Sequence, residues 1–405
     1  MPEPAPPQNR WVIAAAGVLM QVALGAVYAW SVFRIPLTRS FGWTISEVTL
    51  TFTIAIFVLG LAAFGGGLWM RRAGPRTVAL TAGVLYGLGV FLSSFSGGRL
   101  WWLYCSYGVI AGVGLGLGYI VPVATLVKWF PDKRGLITGL AVAGFGAGAL
   151  ITAPIATRLV ATVGVLQTFA ILGVAYFVAV TGGALFMRNP PDGYGPFLEN
   201  VEKGAVPLFR AYTLGEAMRS WQWYGLWTLL FLNTTAGIAV ISQAAPMFQE
   251  ITSVSAARAA SIVGVVSIAN GAGRLLWAWL SDVIGRRPVF LLMFVAQAAI
   301  FWILPSAHSL TIFAALIVLV LLCYGGGFGT MPAFAADYFG AEHVGSIYGL
   351  MLTAWGVAGV VGPTLMAALR ERSGGYDQGL RLIAGLMLVS AIIPLLVRPP
   401  TASQG

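Results

Sequence analysis

Residues 273–287 read Gly273-Arg274-Leu275-Leu276-Trp277-Ala278-Trp279-Leu280-Ser281-Asp282-Val283-Ile284-Gly285-Arg286-Arg287. Arg274 is the single charge in the apolar part of this stretch, which then turns into an acid, a glycine and two arginines. That is the profile of a membrane-crossing helix running out into a charged turn. At 1.5 Å per residue, Arg274 lies about 12 Å along the helix from Asp282. The hydrocarbon half-thickness is about 15 Å, so with Asp282 at the membrane surface Arg274 falls near the midplane. A central arginine costs roughly 2.5–3.5 kcal/mol on insertion scales, so it must face a cavity or a partner.

The rest of the chain agrees with a membrane setting. Of its 405 residues, 58% are hydrophobic and 9% charged, against about 25% charged in soluble domains. So few charges cannot cover a water-facing surface, which excludes a soluble enzyme, a disordered chain and a single-span anchor. The 52 Gly and 14 Trp suit spanning helices, where small residues allow close approach and Trp sits at the interfaces. A span takes about 20 apolar residues. Twelve runs qualify: 11–32, 48–70, 77–95, 100–129, 136–160, 168–187, 221–248, 260–280, 289–304, 310–336, 347–369 and 380–397. The expected fold is therefore all-α and integral to a membrane. It comprises a first bundle (1–187), a linker rich in Pro, Gly and charge (188–219) and a second bundle (220–405).

The net charge of +10 lies mostly between apolar runs, as topogenic charge does, and no basic cluster exceeds three residues, so nucleic acid is not an expected partner. With the N-terminus inside, inner segments hold 14 of the 23 basic residues and outer loops 8, Arg274 being the remaining one. Both termini are expected in the cytoplasm and the chain in the inner (plasma) membrane. Met1–Asn9, broken by Pro2, Pro4, Pro6 and Pro7, has no charged region before a short apolar core and reads as no cleavable signal. Cys105 and Cys323 read as small buried side chains, and two His leave no metal site.

The chain also repeats itself. Gly74-Pro75-Arg76 lies 211 positions before Gly285-Arg286-Arg287, and Pro122 lies 210 before Pro332. Gly135, Gly139, Phe145 and Gly146 lie 210 before Gly345, Gly349, Trp355 and Gly356. An even number of spans per repeat gives both halves one membrane orientation. Such halves, packed about an axis along the membrane normal, form a rocking transporter with its site at the midplane.

The stretch from Gly273 to Arg287 resembles the loop motif G-x-x-x-D-x-x-G-R-R of the major facilitator superfamily. Its first-half equivalent, Gly67-Leu68-Trp69-Met70-Arg71-Arg72-Ala73-Gly74-Pro75-Arg76, carries Arg71 where the motif has Asp. The run from Trp129 through Pro131, Arg134 and Gly139 to Gly144 is similar to the fifth-helix motif of the monocarboxylate porters and the oxalate–formate group, as is Asn9-Arg10-Trp11 before the first span. The resemblance covers essentially the whole chain. It implies the major facilitator fold, two pseudo-symmetric six-helix bundles, and transport of a small carboxylate with no cofactor.

Two roles fit Arg274: a guanidinium fork for a substrate carboxylate, or a structural cation bonded to backbone. Asn270, one turn earlier, shares its helix face. The pair resembles the D-x-x-x-R of eukaryotic monocarboxylate porters with an amide in place of the acid, so it can orient or bind but not titrate. Tyr119 and Tyr324 sit among glycines in the fourth and tenth spans; each serves equally as a phenol donor to a carboxylate or as packing. Tyr28, Phe145 and Trp355 are candidates for the same substrate site, with core or gate packing as the reading favoured for each. In oxalate-transporting relatives a Lys occupies the place of Trp355, so one fixed cation with apolar walls is expected to suit a monoanion. Asp282, Arg286 and Arg287 read as a conformational cluster, with Asp337 as a possible partner, or as an ordinary solvated loop. His308, His343 and Glu47 fall near the interfaces and read as solvated, which leaves proton coupling without an identified side chain. The expected activity is proton-linked carriage of lactate- or pyruvate-type monocarboxylates by a monomer in the bilayer, with oxalate/formate-type exchange as the alternative. No nucleotide-binding motif and no catalytic constellation occur.

Overall fold

The computed structural model describes residues 9–191, 194, 211–255, 258–259, 262 and 268–400. Every regular element among them is helical. In chain order the long helices are α1 (Arg10–Phe41), α2 (residues 45–73), α3 (residues 75–92), α4 (Leu100–Trp129), α5 (Arg134–Val163) and α6 (Val165–Ala184). The second half supplies α7 (Trp221–Thr252), α8 (Ile268–Ile284), α9 (Arg286–Ile303), α10 (Leu310–Phe339), α11 (Val344–Ser373) and α12 (Asp377–Leu396). Ten helices of the described residues are long and apolar enough to cross a membrane. One of them bends at Gly74 to supply both α2 and α3, and α8 adds the twelfth crossing.

The bend shows why glycine recurs at this place in both halves. Gly74 has φ +77° and Gly285 has φ +95°, a region that strains residues bearing a Cβ. Each lets the chain leave one helix and enter the next without a loop. Helices also outlast their apolar stretches: α1 runs to Phe41 through Arg34 and Pro36, and α7 continues to Thr252. The start of the eighth span expected at 260, most of the linker and the residues before Asn9 lie outside the described residues. The ends of the linker are anchored. Trp129 Nε1 donates to the Arg188 carbonyl at 2.8 Å, and the Tyr212 amide to the Phe339 carbonyl at 2.9 Å.

Within the first half α4 packs on α2 and α3, and α1 on α4, α5 and α6. Within the second, α8 packs on α10, α7 on α10 and α11, and α9 on α12. The halves meet where α5 lies against α8 and α10 and where α2 lies against α11. The repeat holds at the level of atoms. A Cβ on Gly135 would collide with the Ala278 carbonyl, and one on Gly345 would come close to Gly67. A Cβ on Gly139 would meet the Arg274 carbonyl, and one on Gly349 the Ala63 carbonyl. Both interfaces are the same small-residue crossing, displaced by 210 or 211 positions. One expectation fails here: Cys105 is exposed on the outside of α4, and only Cys323 is buried. An apolar setting in sequence does not separate the lipid-facing side of a spanning helix from its packed side.

Candidate functional site

Close helix approach places Arg274. On α10, Gly325 abuts the Asn270 carbonyl and Gly329 the Arg274 carbonyl, while Gly273 of α8 abuts Leu322. With no side chains between them, α8 and α10 touch backbone to backbone. The Arg274 side chain leaves this contact toward the other half and is only 1% exposed. Its Nε donates to Asn270 Oδ1 at 3.3 Å and its Nη1 to the Val142 carbonyl of α5 at 3.1 Å. Nη2 is buried with no partner, and no carboxylate pairs with Arg274 among the described residues.

The other walls come from both halves. In α1 the helix tightens to a 3₁₀ turn over Gly25–Trp30, where Gly25 meets the Phe145 backbone so closely that a Cβ would collide with it. This crossing brings Tyr28 edge-on to Phe145 at 5.3 Å between centroids. Tyr119 meets the same ring at 5.2 Å. Trp355 lies 6.4 Å from Tyr28 and 5.1 Å from Phe328, and Tyr324 lies 5.3 Å from Phe328. The guanidinium carbon sits 5.1 Å from the Phe328 centroid and 6.0 Å from that of Phe145, within cation–π range. The phenols of Tyr28, Tyr119 and Tyr324 are near enough to Arg274 to feel its charge. The hydroxyls of Tyr28 and Tyr119 are buried and make no well-formed hydrogen bond, Tyr28 facing Arg274 and Tyr119 facing Tyr348.

All seven residues expected at the site therefore converge. Sequence reasoning missed Phe328, the ring lying nearest the guanidinium; its one signal was a place one turn after Tyr324. It also missed the Val142 carbonyl, which no side-chain pattern can announce. The convergence leaves three buried polar ends in the cage without a well-formed hydrogen bond, one guanidinium nitrogen and two phenols, and a fourth, the Tyr348 hydroxyl, beside Tyr119. Buried polar groups are normally satisfied, and each unmatched one costs about 1–3 kcal/mol. An oxyanion between them would accept from all three.

Beneath the site, the end of the molecule carrying the Asp282 turn is closed by a charged network. Asp282 accepts from the amides of Gly135 and Leu136 at 2.8 and 2.7 Å and pairs with Arg286 at 2.7 Å. Arg286 also pairs with Asp337 at 2.8 Å. The network is completed by Arg134, which the sequence marked only as part of the fifth-helix motif and whose Nη1 lies 2.8 Å from Asp337 Oδ1. Arg287 does not join it. Being next along a helix it points elsewhere, and it donates to the carbonyls of Pro394 and Leu395 at the end of α12. Arg10 pairs with Asp132 at 2.8 Å over the Phe130 ring. His343 departs from the solvated reading: it is 8% exposed, with Nδ1 buried and unpartnered.

The family model described as Major Facilitator Superfamily matches residues 13–255 and 226–405. Among known proteins, the chain is 31% identical to "Uncharacterized MFS-type transporter YhjX" of Escherichia coli, over 87% of this chain and 86% of that one. It is 26% identical to "Oxalate:formate antiporter" of Oxalobacter formigenes, over 96% and 93%. It is also 25% identical to "Monocarboxylate transporter 13" of Rattus norvegicus, over 97% and 90%. Among solved structures, FucP in the outward conformation superimposes with a TM-score of 0.76 at 14% identity, over 96% of this chain and 99% of that one. The proton:xylose symporter XylE gives 0.73 at 14% identity, over 96% of each.

Proposed function

Because this chain belongs to the Major Facilitator Superfamily, we propose that it carries small monocarboxylates of the lactate or pyruvate type across the membrane by alternating access, together with a proton. One observation carries the reading. Arg274 Nη2 and the Tyr28 and Tyr119 hydroxyls make no well-formed hydrogen bond inside an aromatic cage that holds no carboxylate among the described residues. A guanidinium fork suits a carboxylate, while Phe145, Phe328 and Trp355 suit its short hydrocarbon part. Tyr28 and Tyr119 belong to the first half and Arg274 to the second, so a ligand held by all three feels any rocking of one half on the other. The moving units in this reading are residues 1–187 and 220–405, acting as a monomer in the inner membrane. The Asp282 end faces the cytoplasm, where the basic residues are more numerous.

Exchange of one carboxylate for another is the second reading. It is favoured by the similarity to an oxalate:formate antiporter and by Asn270, an amide that cannot carry the proton. Uptake of labelled carboxylates into proteoliposomes tests both. Proton symport requires accumulation driven by an inward pH gradient and abolished by a protonophore. Exchange requires a carboxylate preloaded inside and ignores the gradient. Failure to accelerate uptake by preloading or by a gradient, across a panel of two- to four-carbon carboxylates, would overturn carriage of this class.

A further inference from the structure

The repeat that unites the halves breaks at one charged position. In the second half, the Asp282 carboxylate caps the start of α5 through the Gly135 and Leu136 amides. Displaced by 210 or 211 positions, the matching elements are Arg71 at the end of α2 and Gly345 and Ser346 at the start of α11. The contacts of Gly135 with Ala278 and of Gly345 with Gly67 show that these backbones do occupy equivalent places. The acid that should cap α11 is therefore an arginine; the Ser346 amide donates instead to the His343 carbonyl at 3.1 Å, and the Gly345 amide, in the first turn, has no intrahelical acceptor.

A cavity of about 270 Å³ occupies this place. Its lining includes Arg71 from α2, Lys128 from α4, Asn189, Glu342 and His343 from the α10–α11 connection, and Ser346 from the start of α11. Arg71 has no hydrogen-bond or ion-pair partner among the described residues. Lys128 Nζ reaches only Asn189 Oδ1, at 3.5 Å. The one carboxylate of the lining, Glu342, is 66% exposed and lies 3.6 Å from His343 Nε2. Two permanent cations and a helix N-terminus thus border a space holding roughly nine waters' share of liquid volume, and the His343 ring forms part of its wall. Cations and N-terminal amides converging on one concavity form an oxyanion site.

We propose that this cavity binds a phosphate-type oxyanion, either free inorganic phosphate or the phosphate ester of a lipid headgroup, which clamps α2 and α4 to the start of α11 when this end is closed. The ligand supplies from outside the negative charge that Asp282 supplies in the other half. A tetrahedral oxyanion can accept from Arg71, Lys128 and the Gly345 amide together. The cavity is too small for a ligand with a large apolar body. Because the site sits on the contact between halves, its occupancy favours the closed arrangement of this end.

The test uses the purified full-length protein and needs no transport measurement, so its failure is separable from failure of the carboxylate reading. In detergent, inorganic phosphate should raise the unfolding temperature above that in chloride of equal ionic strength. Arg71→Gln and Lys128→Gln should each weaken the phosphate response at least tenfold in concentration. Arg71→Asp should abolish it while restoring the missing cap, so that residues 344–351 resist deuterium exchange without any ligand. In nanodiscs, protection of the same residues by phosphatidylglycerol but not phosphatidylcholine, lost in Arg71→Gln, would assign the phosphate to a lipid. The same protection produced by inorganic phosphate in phosphatidylcholine would assign it to the free anion. Equal responses in the parent and both neutral variants would overturn the proposal. So would a parent that responds to neither phosphate nor phosphatidylglycerol.

Discussion

Arg274 donates through Nη1 to the carbonyl oxygen of Val142 at 3.1 Å, so the buried cation of one half is held by the backbone of the other. The same guanidinium leaves Nη2 buried without a well-formed hydrogen bond. In the proposed function, binding and the contact between α5 and α8 share one side chain. An anion that draws Arg274 toward Tyr28 and Tyr119 alters the Val142 bond, and opening of that interface alters the anion's partner.

Lysine cannot replace this arginine. It keeps the charge but not the planar fork that serves Asn270, Val142 and a ligand at once. Arg274→Lys should lower initial carboxylate uptake at least tenfold, the equivalent of about one charge-assisted hydrogen bond of 1.5–3 kcal/mol. Uptake is to be normalised to inserted protein. A rate within twofold of the parent would remove Arg274 as the anion anchor.

One cation in an aromatic cage should prefer two- to four-carbon monocarboxylates, because a dianion leaves its second carboxylate desolvated and unpaired. Trp355 lies against Tyr28 and Phe328, so Trp355→Lys would place a second charge on the site and should shift competition assays toward oxalate. A parent protein that moves oxalate faster than lactate or pyruvate defeats the monoanion argument.

Two glycines of similar appearance should behave differently. Gly349 abuts Ala63 across the halves, whereas Gly329 abuts Arg274 within one half. Gly349→Val should leave the fold intact but hold the Asp282 end open. A Thr138→Cys probe, buried beside the Gly329 carbonyl in the closed arrangement, should then react faster with a thiol reagent. Gly329→Val should instead lower the unfolding temperature, since α8 and α10 have no second way to pack. Equal loss of stability in both variants would mean that the α2–α11 contact is not a moving interface.

The pH response of His343 follows from its surroundings. Burial, together with Arg71 and Lys128, holds it below the ordinary histidine value of about 6.5, against the opposite pull of Glu342 and Glu216. The folded chain then binds fewer protons than the unfolded one in this range, so this residue's contribution to stability falls as pH drops from about 8 to 5.5. Phosphate should reverse that trend, because the imidazolium can donate to the anion. Thermal unfolding across this range, with His343→Gln as reference, measures it. A parent-minus-variant difference that is flat with pH and unaffected by phosphate would disconnect His343 from the cavity.

Much of this was legible along the chain. Arg274 stood out because a charge in an apolar run has a fixed cost wherever it lies, and Asn270 followed from helical spacing. The repeat located Phe145 and Trp355, and the glycines around Tyr119 and Tyr324 marked close approaches. Phe328 and Arg134 were harder to find. A phenylalanine in a hydrophobic run carries no local signal, and the partner of Asp337 lies two hundred residues away.

Composition and spacing along the chain already gave the membrane setting, the internal repeat and the one charge buried in an apolar run, since each rests on a solvation cost or a periodicity that local neighbours do not alter. Only the tertiary structure decided which polar ends remained unmatched, because satisfaction of a hydrogen bond depends on what other helices bring to it. It gave Arg274 the Val142 carbonyl, turned Arg287 away from the Asp282–Arg286–Asp337 network toward α12, and buried His343 beside Arg71. The side on which a helical residue ends up is set by packing between distant segments, and no run of neighbouring residues encodes it.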